Sequence, residues 1–236
     1  MATAGNSSKI IYGEFDFSSN LASASVSHAV QTVDVTTFGS SNVVLLPTLE
    51  SGEVSFDGFW AGDADGIDEE IVARLQSSSN TPVTFAMAGL TRGNKVKMIS
   101  SKQTNYEISS EVAGAVGLSA SMNGEFVGGG VSLKDLDAES ASTDHTSVDN
   151  SASTSNGAIA YIHVTAVTGT PSAVIKVQHS ADDSSWADLA TFTTVTAATS
   201  EIKSVTGTVN QYLRVSSTFG GSGSVTYSIV LARKLK

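Results

Sequence analysis

Cysteine is absent from this chain of 236 residues, proline occurs three times, and no long hydrophobic run is present. The lack of cysteine excludes a disulfide framework, a thiolate metal site and a cysteine nucleophile, so we expect stability to come from packing and assembly. No stretch approaches the roughly 18 apolar residues of a membrane-spanning helix. The first residues lack a basic segment followed by an apolar run, so we expect no secretory signal and no membrane partner.

Positive charge is scarce in the first two thirds of the chain. Residues 1–156 carry 19 acidic and 7 basic side chains, whereas residues 157–236 carry 4 acidic and 6 basic ones. Tight binding of nucleic acid requires a basic face that displaces counterions from phosphates, and the first part lacks one. Acidity that serves only solubility explains the same numbers.

Small and turn-forming residues dominate what is present, including 21 glycines and many serines and threonines. This composition predicts a mainly β protein with many turns. Residues 136–156 hold no aromatic residue and almost no apolar side chain larger than alanine, which predicts a mobile linker. The charge balance changes at the same place. We therefore expect a first β-rich domain at residues 1–135, with one short helix, a linker at residues 136–156, and a second small β-sandwich domain at residues 157–236.

A strand followed at once by a helix is the clearest local pattern. Apolar and polar residues alternate over residues 53–60, as in a half-buried strand. Asp65 is placed to cap a helix whose first turn is acidic, which the helix dipole favours. Ile67, Ile71 and Leu75 recur every four residues and predict one apolar stripe on that helix.

This order of elements, with the wording DVTTFG at residues 34–39 and GEVSFDGFW at residues 52–60, resembles the major tail tube proteins of long-tailed bacteriophages. The resemblance extends over about residues 10–133. It implies that residues 1–135 are an assembly domain whose strands close a small sandwich or barrel, with six copies in a ring and stacked rings that form the virion's tail tube. It further implies assembly in the host cytoplasm, tail tape-measure, terminator and baseplate proteins as partners, and phage DNA that passes through without specific binding.

Two hairpins are predicted next to this unit. Residues 81–90 and 94–100 form the first one around Thr91-Arg92-Gly93. Residues 106–120 and 121–133 form the second, with Asn123-Gly124 as its turn, because this dipeptide suits the tight turns of β-hairpins.

The connection over residues 36–51 is unusually apolar for a loop. It contains Phe38, Val44, Leu45 and Leu46, and exposed apolar clusters mark interaction surfaces. We predict that these four residues contact a neighbouring subunit. The weakly patterned segment at residues 18–31 is a second candidate, as an arm that becomes ordered on assembly.

The last 80 residues predict six short strands, listed here by number: 158–167, 173–179, 187–193, 201–205, 212–217 and 225–233. They resemble the immunoglobulin-like or carbohydrate-module-like sandwiches that are appended to phage virion proteins. Trp186 and Tyr212 are candidates for a ligand platform, although core packing is the default for such residues. A non-enzymatic protein that binds carbohydrate, or one that decorates a capsid, is therefore the alternative function.

No pattern of catalytic residues is present, so we expect neither enzymatic activity nor a cofactor. Asp63, Asp65 and the acidic residues after them depart from the spacing of a calcium loop, and a helix cap explains them equally. His163 and His179 lie in predicted strands that could be neighbours, but a metal site needs a third ligand. We expect structural histidines and no metal.

Overall fold

A computed structural model describes residues 5–61, 66–75 and 77–234, with only the backbone for Asn6. The chain is mainly β, and the strand pairings described are antiparallel. One α-helix, α1 at Ile67–Leu75, and a 3-10 turn at Gly5–Ser7 lie in this part of the chain. The strands are β1 Lys9–Tyr12, β2 Phe15–Asp16, β3 Leu21–Asp34, β4 Leu45–Phe59, β5 Thr81–Ala86, β6 Lys95–Ser109, β7 Gly117–Glu139, β8 Thr143–Asp144, β9 Val148–Asp149, β10 Ala158–Ser180, β11 Ala187–Thr191, β12 Thr199–Val205 and β13 Tyr212–Arg233.

The chain forms two compact units. Unit 1 takes residues 1–19, 81–98 and 127–236, and unit 2 takes residues 20–80 and 99–126. Both units are therefore discontinuous in sequence, and composition predicts a different division, at residues 136–156. Independent folding of residues 157–236 stays a prediction. Within the described residues, none of the helices is long and apolar enough to cross a bilayer.

Unit 1 is built on two long strands. β10 and β13 pair along their whole length, from Ala158 opposite Arg233 to Ser180 opposite Tyr212. The predicted strands at residues 158–167 and 173–179 are therefore two parts of β10, and those at residues 212–217 and 225–233 are two parts of β13. The turns expected between them, at residues 168–172 and 218–224, do not occur. Gly169 (φ +72°) lies in the first of these stretches, and it pairs with Gly223 in a left-handed backbone conformation that glycine adopts without strain.

Both faces of this strand pair are buried at one end. Residues 158–164, AIAYIHV, are all buried. All of them except His163 are apolar or aromatic, so apolar and polar residues do not alternate here. Two core clusters use the opposite faces: one contains Ala160 and Ile162, and the other contains Tyr161 with Met98 of β6. A run of this kind is typical of strands that are covered on both sides.

The predicted linker contains three strand segments. β7 continues to Glu139 and pairs with β13, and β8 and β9 then pair with the other half of β13. The polar side chains bond to that strand as well, for example Ser216 Oγ to Asp144 Oδ1 at 2.6 Å. The prediction of a mobile segment rested on the lack of apolar residues, but backbone pairing at a strand edge needs none.

Unit 2 combines a long hairpin with one helix. β4 pairs with β3 on one side and, over residues 52–59, with β7 on the other. The segment at residues 18–31, predicted to become ordered only on assembly, lies mostly in the regular strand β3. The predicted strand at residues 53–60 is confirmed, although it begins earlier, at Leu45.

The predicted helix is confirmed as α1. Ile67 and Ile71 are buried, whereas Leu75 at the last turn is exposed, so the apolar stripe is shorter than predicted. The Tyr106 hydroxyl donates a hydrogen bond to Asp68 and ties the first turn of the helix to β6. Asp65, the predicted cap, lies outside the described residues.

Asn123-Gly124 is not a turn, and that prediction was wrong. Both residues lie inside β7, opposite Glu53 and Gly52 of β4. The chain reverses between β6 and β7 instead, at residues 110–116. A Cβ atom on Gly124 would lie 2.1 Å from the Ser100 carbonyl oxygen, so glycine is required here by a close backbone approach and not by turn geometry.

Candidate assembly surfaces

The hairpin of unit 2 extends beyond its sheet as an exposed ribbon. β3 and β4 remain paired as far as Asp34 opposite Leu45, but β7 covers β4 only over residues 52–59. Residues 27–51, which we call the arm, are exposed on both faces except for Ser40. A two-stranded ribbon is marginally stable in water, so the arm is suited to packing against a partner.

Large apolar side chains are concentrated on the arm. Nine of them are exposed: Val30, Val33, Val35, Phe38, Val43, Val44, Leu45, Leu46 and Leu49. The four predicted interface residues are in this group, with Phe38 fully exposed and Leu45 and Leu46 exposed by 55% and 54%. The predicted loop at residues 36–51 is a loop only as far as Val44, because the rest belongs to β4. Contact with a neighbour stays a prediction.

The tip of the arm has a defined local structure. The Asp34 carboxylate accepts a hydrogen bond from the Thr36 amide at 2.8 Å, and the Thr36 hydroxyl accepts one from the Val44 amide at 2.9 Å. The hydroxyl and the amide of Thr36 lower the pKa of Asp34. These bonds fix the loop between the strands, so little conformational entropy remains to be lost there when a partner binds.

The sheet of unit 2 has one apolar and one polar face. Its strand order is β3–β4–β7–β6. The apolar face is formed by buried residues that alternate along the strands, namely Val54, Phe56, Leu118, Ala120 and Met122. The opposite side is formed by short polar residues, namely Ser23, Ser25, Ser55, Asp57, Ser119, Ser121, Asn123 and Thr104.

Hydrogen bonds between strands connect this polar face. Ser25 Oγ and Ser55 Oγ are 2.8 Å apart, and Asn123 Nδ2 donates to Thr104 Oγ1 at 3.0 Å. Ser23 Oγ donates to Asp57 Oδ2 at 3.0 Å. These bonds join short side chains across the strands, so the face carries small, mutually hydrogen-bonded polar groups.

Both edges of this sheet lack a full partner strand. Within the described residues, β3 pairs with β4 and with no other strand. β6 pairs with β7 and β5, but β5 has 6 residues against the 15 of β6, so it leaves much of that edge uncovered. Thr104, Asn105 and Glu107 there are exposed. Uncovered strand edges present free backbone groups that pair readily with another strand.

The aromatic candidates of the second predicted domain lie in unit 1. Trp186 and Tyr212 are both half-buried, and the Arg214 guanidinium carbon lies 4.4 Å from the centre of the Trp186 ring. Gln178 Oε1 accepts a hydrogen bond from Arg214 Nε at 2.8 Å. Sequence patterns gave no signal for Arg214 or Gln178, because strands distant in sequence bring them together.

The two histidines of the second domain do not form a pair. His163 and His179 lie on the same strand, β10, and bond to different partners. His163 is buried between Gly13 and Thr84, and His179 Nδ1 accepts the Asn210 amide at 3.2 Å. In the described part of the chain, no three His, Asp or Glu side chains are grouped as metal ligands. Asp63 and Asp65 lie outside it.

Comparisons with known proteins give structural neighbours only. No family model and no curated protein matches the chain. It is similar to a protein of the native gene transfer agent virion, with 20% identity over 52% of this chain and 95% of that one and a TM-score of 0.42. It is also similar to the SPP1 tail tube protein, with 14% identity over 54% of this chain and 77% of that one and a TM-score of 0.43. The SPP1 Dit hub protein is similar with 14% identity over 97% of this chain and 99% of that one and a TM-score of 0.40. Such scores do not assign a function.

Proposed function

We propose that this chain is a structural protein of a phage tail, and that copies join through unit 2 into a ring that stacks into a tube. The single observation that carries the proposal is the sheet β3–β4–β7–β6, in which β3 has no partner on its outer side among the described residues and β6 is only partly covered by β5. Two different edges on one subunit favour a head-to-tail contact, and such contacts close into rings when the rotation between copies allows it. Six copies is the number implied by the sequence resemblance.

The strand directions are compatible with this contact. The four strands alternate in direction, so β3 and β6 run opposite to each other. When β3 of one copy lies beside β6 of the next, the pairing is antiparallel, like every other pairing in the sheet. The ring would then extend one sheet through all subunits and leave no edge uncovered.

The polar face of this sheet suits the wall of a DNA conduit. Among its charged residues, Glu53, Asp57 and Glu125 are acidic and Lys102 is basic, by alternation along the strands. A wall of hydroxyl groups with net negative charge does not retain phosphates, so DNA passes without being bound. We propose that this face lines the lumen.

The arm would supply the apolar part of the contact between copies. Its nine exposed apolar residues exceed what a monomeric surface normally shows in one place. Tape-measure, terminator and baseplate proteins would be further partners of the assembled tube. The mechanism is assembly, without a catalytic step.

The experiment compares assembly of the wild type with the double variant Leu45→Asp/Leu46→Asp. Burial of two half-exposed leucines contributes roughly 2 kcal/mol per contact, so we expect the assembly concentration to rise at least about tenfold. Val72→Asp is the matched control, because Val72 is a similarly exposed apolar residue (49%) on α1, outside the arm.

Solution mass and electron microscopy of the same samples provide the readout. Rings or tubes from the wild type and Val72→Asp, with smaller species from the double variant, support the proposal. Unchanged assembly of the double variant contradicts the role of the arm. Wild-type chains that stay monomeric at every concentration contradict self-assembly of the chain on its own.

A further inference from the structure

A hydrogen-bonded network of charged and polar side chains covers one face of the strands β11, β10, β13 and β8 in unit 1. In register, Gln178 lies opposite Asp188 on one side and Arg214 on the other. Gln178 Nε2 donates to Asp188 Oδ1 at 2.8 Å, and Lys176 Nζ donates to Asp188 Oδ2 at 2.6 Å. Arg214 Nη2 lies 3.1 Å from Asp144 Oδ2 at the other end. We call these five residues the network face.

The aromatic ring beside this face is held in a fixed position. Trp186 follows the turn Ser180–Ser185, which is organised by one carboxylate: Asp182 Oδ1 accepts the Ser184 amide at 3.0 Å and the Ser185 amide at 2.8 Å. These two amides, with the Ser180 hydroxyl, lower the pKa of Asp182. Arg214 then stacks on the ring. A ring fixed in this way loses little conformational entropy when it contacts a ligand.

Two hydrogen-bonding groups beside the network have no partner in the described part of the chain. They are the indole nitrogen of Trp186 and the hydroxyl of Tyr212, and Tyr212 lies opposite Ser180 at the end of the β10–β13 pairing. Both residues are half-buried and reach solvent. Because both side chains reach solvent, these two groups are hydrated in the free protein and are available to a ligand that displaces the water.

The charges of the face restrict the class of ligand. Lys176 and Arg214 balance Asp144 and Asp188, and Asp149 opposite Tyr212 and Asp182 in the turn before Trp186 add negative charge, so the surface does not attract a polyanion. It offers instead fixed donors and acceptors next to an aromatic ring, which matches a ligand with hydroxyl groups around an apolar ring surface.

We propose that the network face, with Trp186 and Tyr212, binds a neutral saccharide chain. One sugar ring packs against Trp186, and its hydroxyl groups bond to Asp188, Gln178 and Arg214. The site lies within unit 1 and uses neither the arm nor the edges of unit 2, so it is independent of the assembly proposed above.

The test uses the full chain and a panel of neutral oligosaccharides of glucose, galactose, mannose and N-acetylhexosamine units, with hyaluronate as the anionic comparison. Dissociation constants for the saccharides that bind are measured by calorimetry. We expect Trp186→Ala to weaken binding by roughly tenfold or more, as for an aromatic contact at the centre of a site. Arg214→Lys keeps the charge but loses the planar stacking, so it should weaken binding too.

Trp60→Ala is the matched control, because Trp60 is the second tryptophan of the chain, is 40% exposed and lies in unit 2. It should bind saccharide like the wild type. Binding that survives Trp186→Ala, binding of hyaluronate alone, or no binding by any neutral saccharide overturns the inference. Assembly is followed separately: Trp186→Ala should assemble normally, so failure of either proposal is seen without the other.

Discussion

Buried His163 makes the stability of unit 1 depend on pH. Its Nδ1 lies 2.6 Å from the Gly13 carbonyl oxygen, which only accepts, so Nδ1 carries the proton. Nε2 then accepts a hydrogen bond from the Thr84 hydroxyl at 2.8 Å. The side chain is fully buried, and this burial lowers its pKa from 6.5 to about 4. Protonation would turn Nε2 into a donor, so the Thr84 hydroxyl would have to rotate and accept the bond, and the added positive charge would be buried.

The sign of the effect follows from the direction of the shift. Because the folded pKa is below the unfolded one, the unfolded chain takes up the proton first as the pH falls. The unfolding free energy therefore decreases from pH 6.5 down to about 4, by up to roughly 1.4 kcal/mol per pH unit and about 3 kcal/mol in total. His179 has a lowered pKa and adds in the same direction. Glu139, whose pKa is lowered to about 2, loses its contribution at lower pH, between 4.5 and 2.

Urea unfolding of dilute protein at pH 7.5, 6.5, 5.5 and 5.0 measures this slope. We expect the wild type to lose about 2 kcal/mol between pH 6.5 and 5.0. His163→Asn should be less stable at pH 7.5, but its unfolding free energy should change much less with pH, because asparagine does not titrate. Ser228→Ala is the control: Ser228 is buried opposite His163 and should keep the wild-type slope. Equal slopes for the wild type and His163→Asn would refute the reasoning.

Three further changes test the packing. Gly124→Ala places a Cβ atom 2.1 Å from a backbone oxygen and should lower the unfolding free energy by at least about 2 kcal/mol. Gly39→Ala should lower it little, because no atom lies within 4 Å of the added Cβ. Ile71→Ala should cost about 2–5 kcal/mol, and Val72→Ala, which truncates an exposed side chain, less than about 1. Ser228→Ala removes a buried hydroxyl that has no hydrogen-bond partner among the described residues, and it should leave stability unchanged or raise it by about 1 kcal/mol. Denaturant unfolding checks all three, and reversal of any ranking contradicts the packing described.

Sequence periodicity was most reliable where one face of an element is buried. Ile67 and Ile71 predicted α1, and the alternation over residues 53–60 predicted the inner part of β4. The mainly β class followed from composition. These features could be predicted because each depends on residues that are close together in sequence.

Features that depend on distant segments were missed. Asn123-Gly124 suits a tight turn, but the need for glycine came from Ser100 on the neighbouring strand. Residues 143–149 are mostly polar, and this composition predicted a linker. In the structure β8 and β9 pair with β13 through their backbones, which needs no apolar side chain. Trp186 was identified as a candidate, whereas Arg214, which stacks on it, was not.

The direct test of the account asks whether β3 of one copy lies beside β6 of the next. The chain has no cysteine, so Ser25→Cys on β3 and Thr104→Cys on β6, both on the polar face, can be cross-linked specifically. A bismaleimide that spans about 10 Å tolerates a register shift of two residues, which moves a side chain by roughly 7 Å. The account predicts a ladder of multimers that ends at the ring size for the double variant, and monomers for each single variant. Dimers from a single variant, or no ladder from a double variant that assembles, would contradict the edge-to-edge contact.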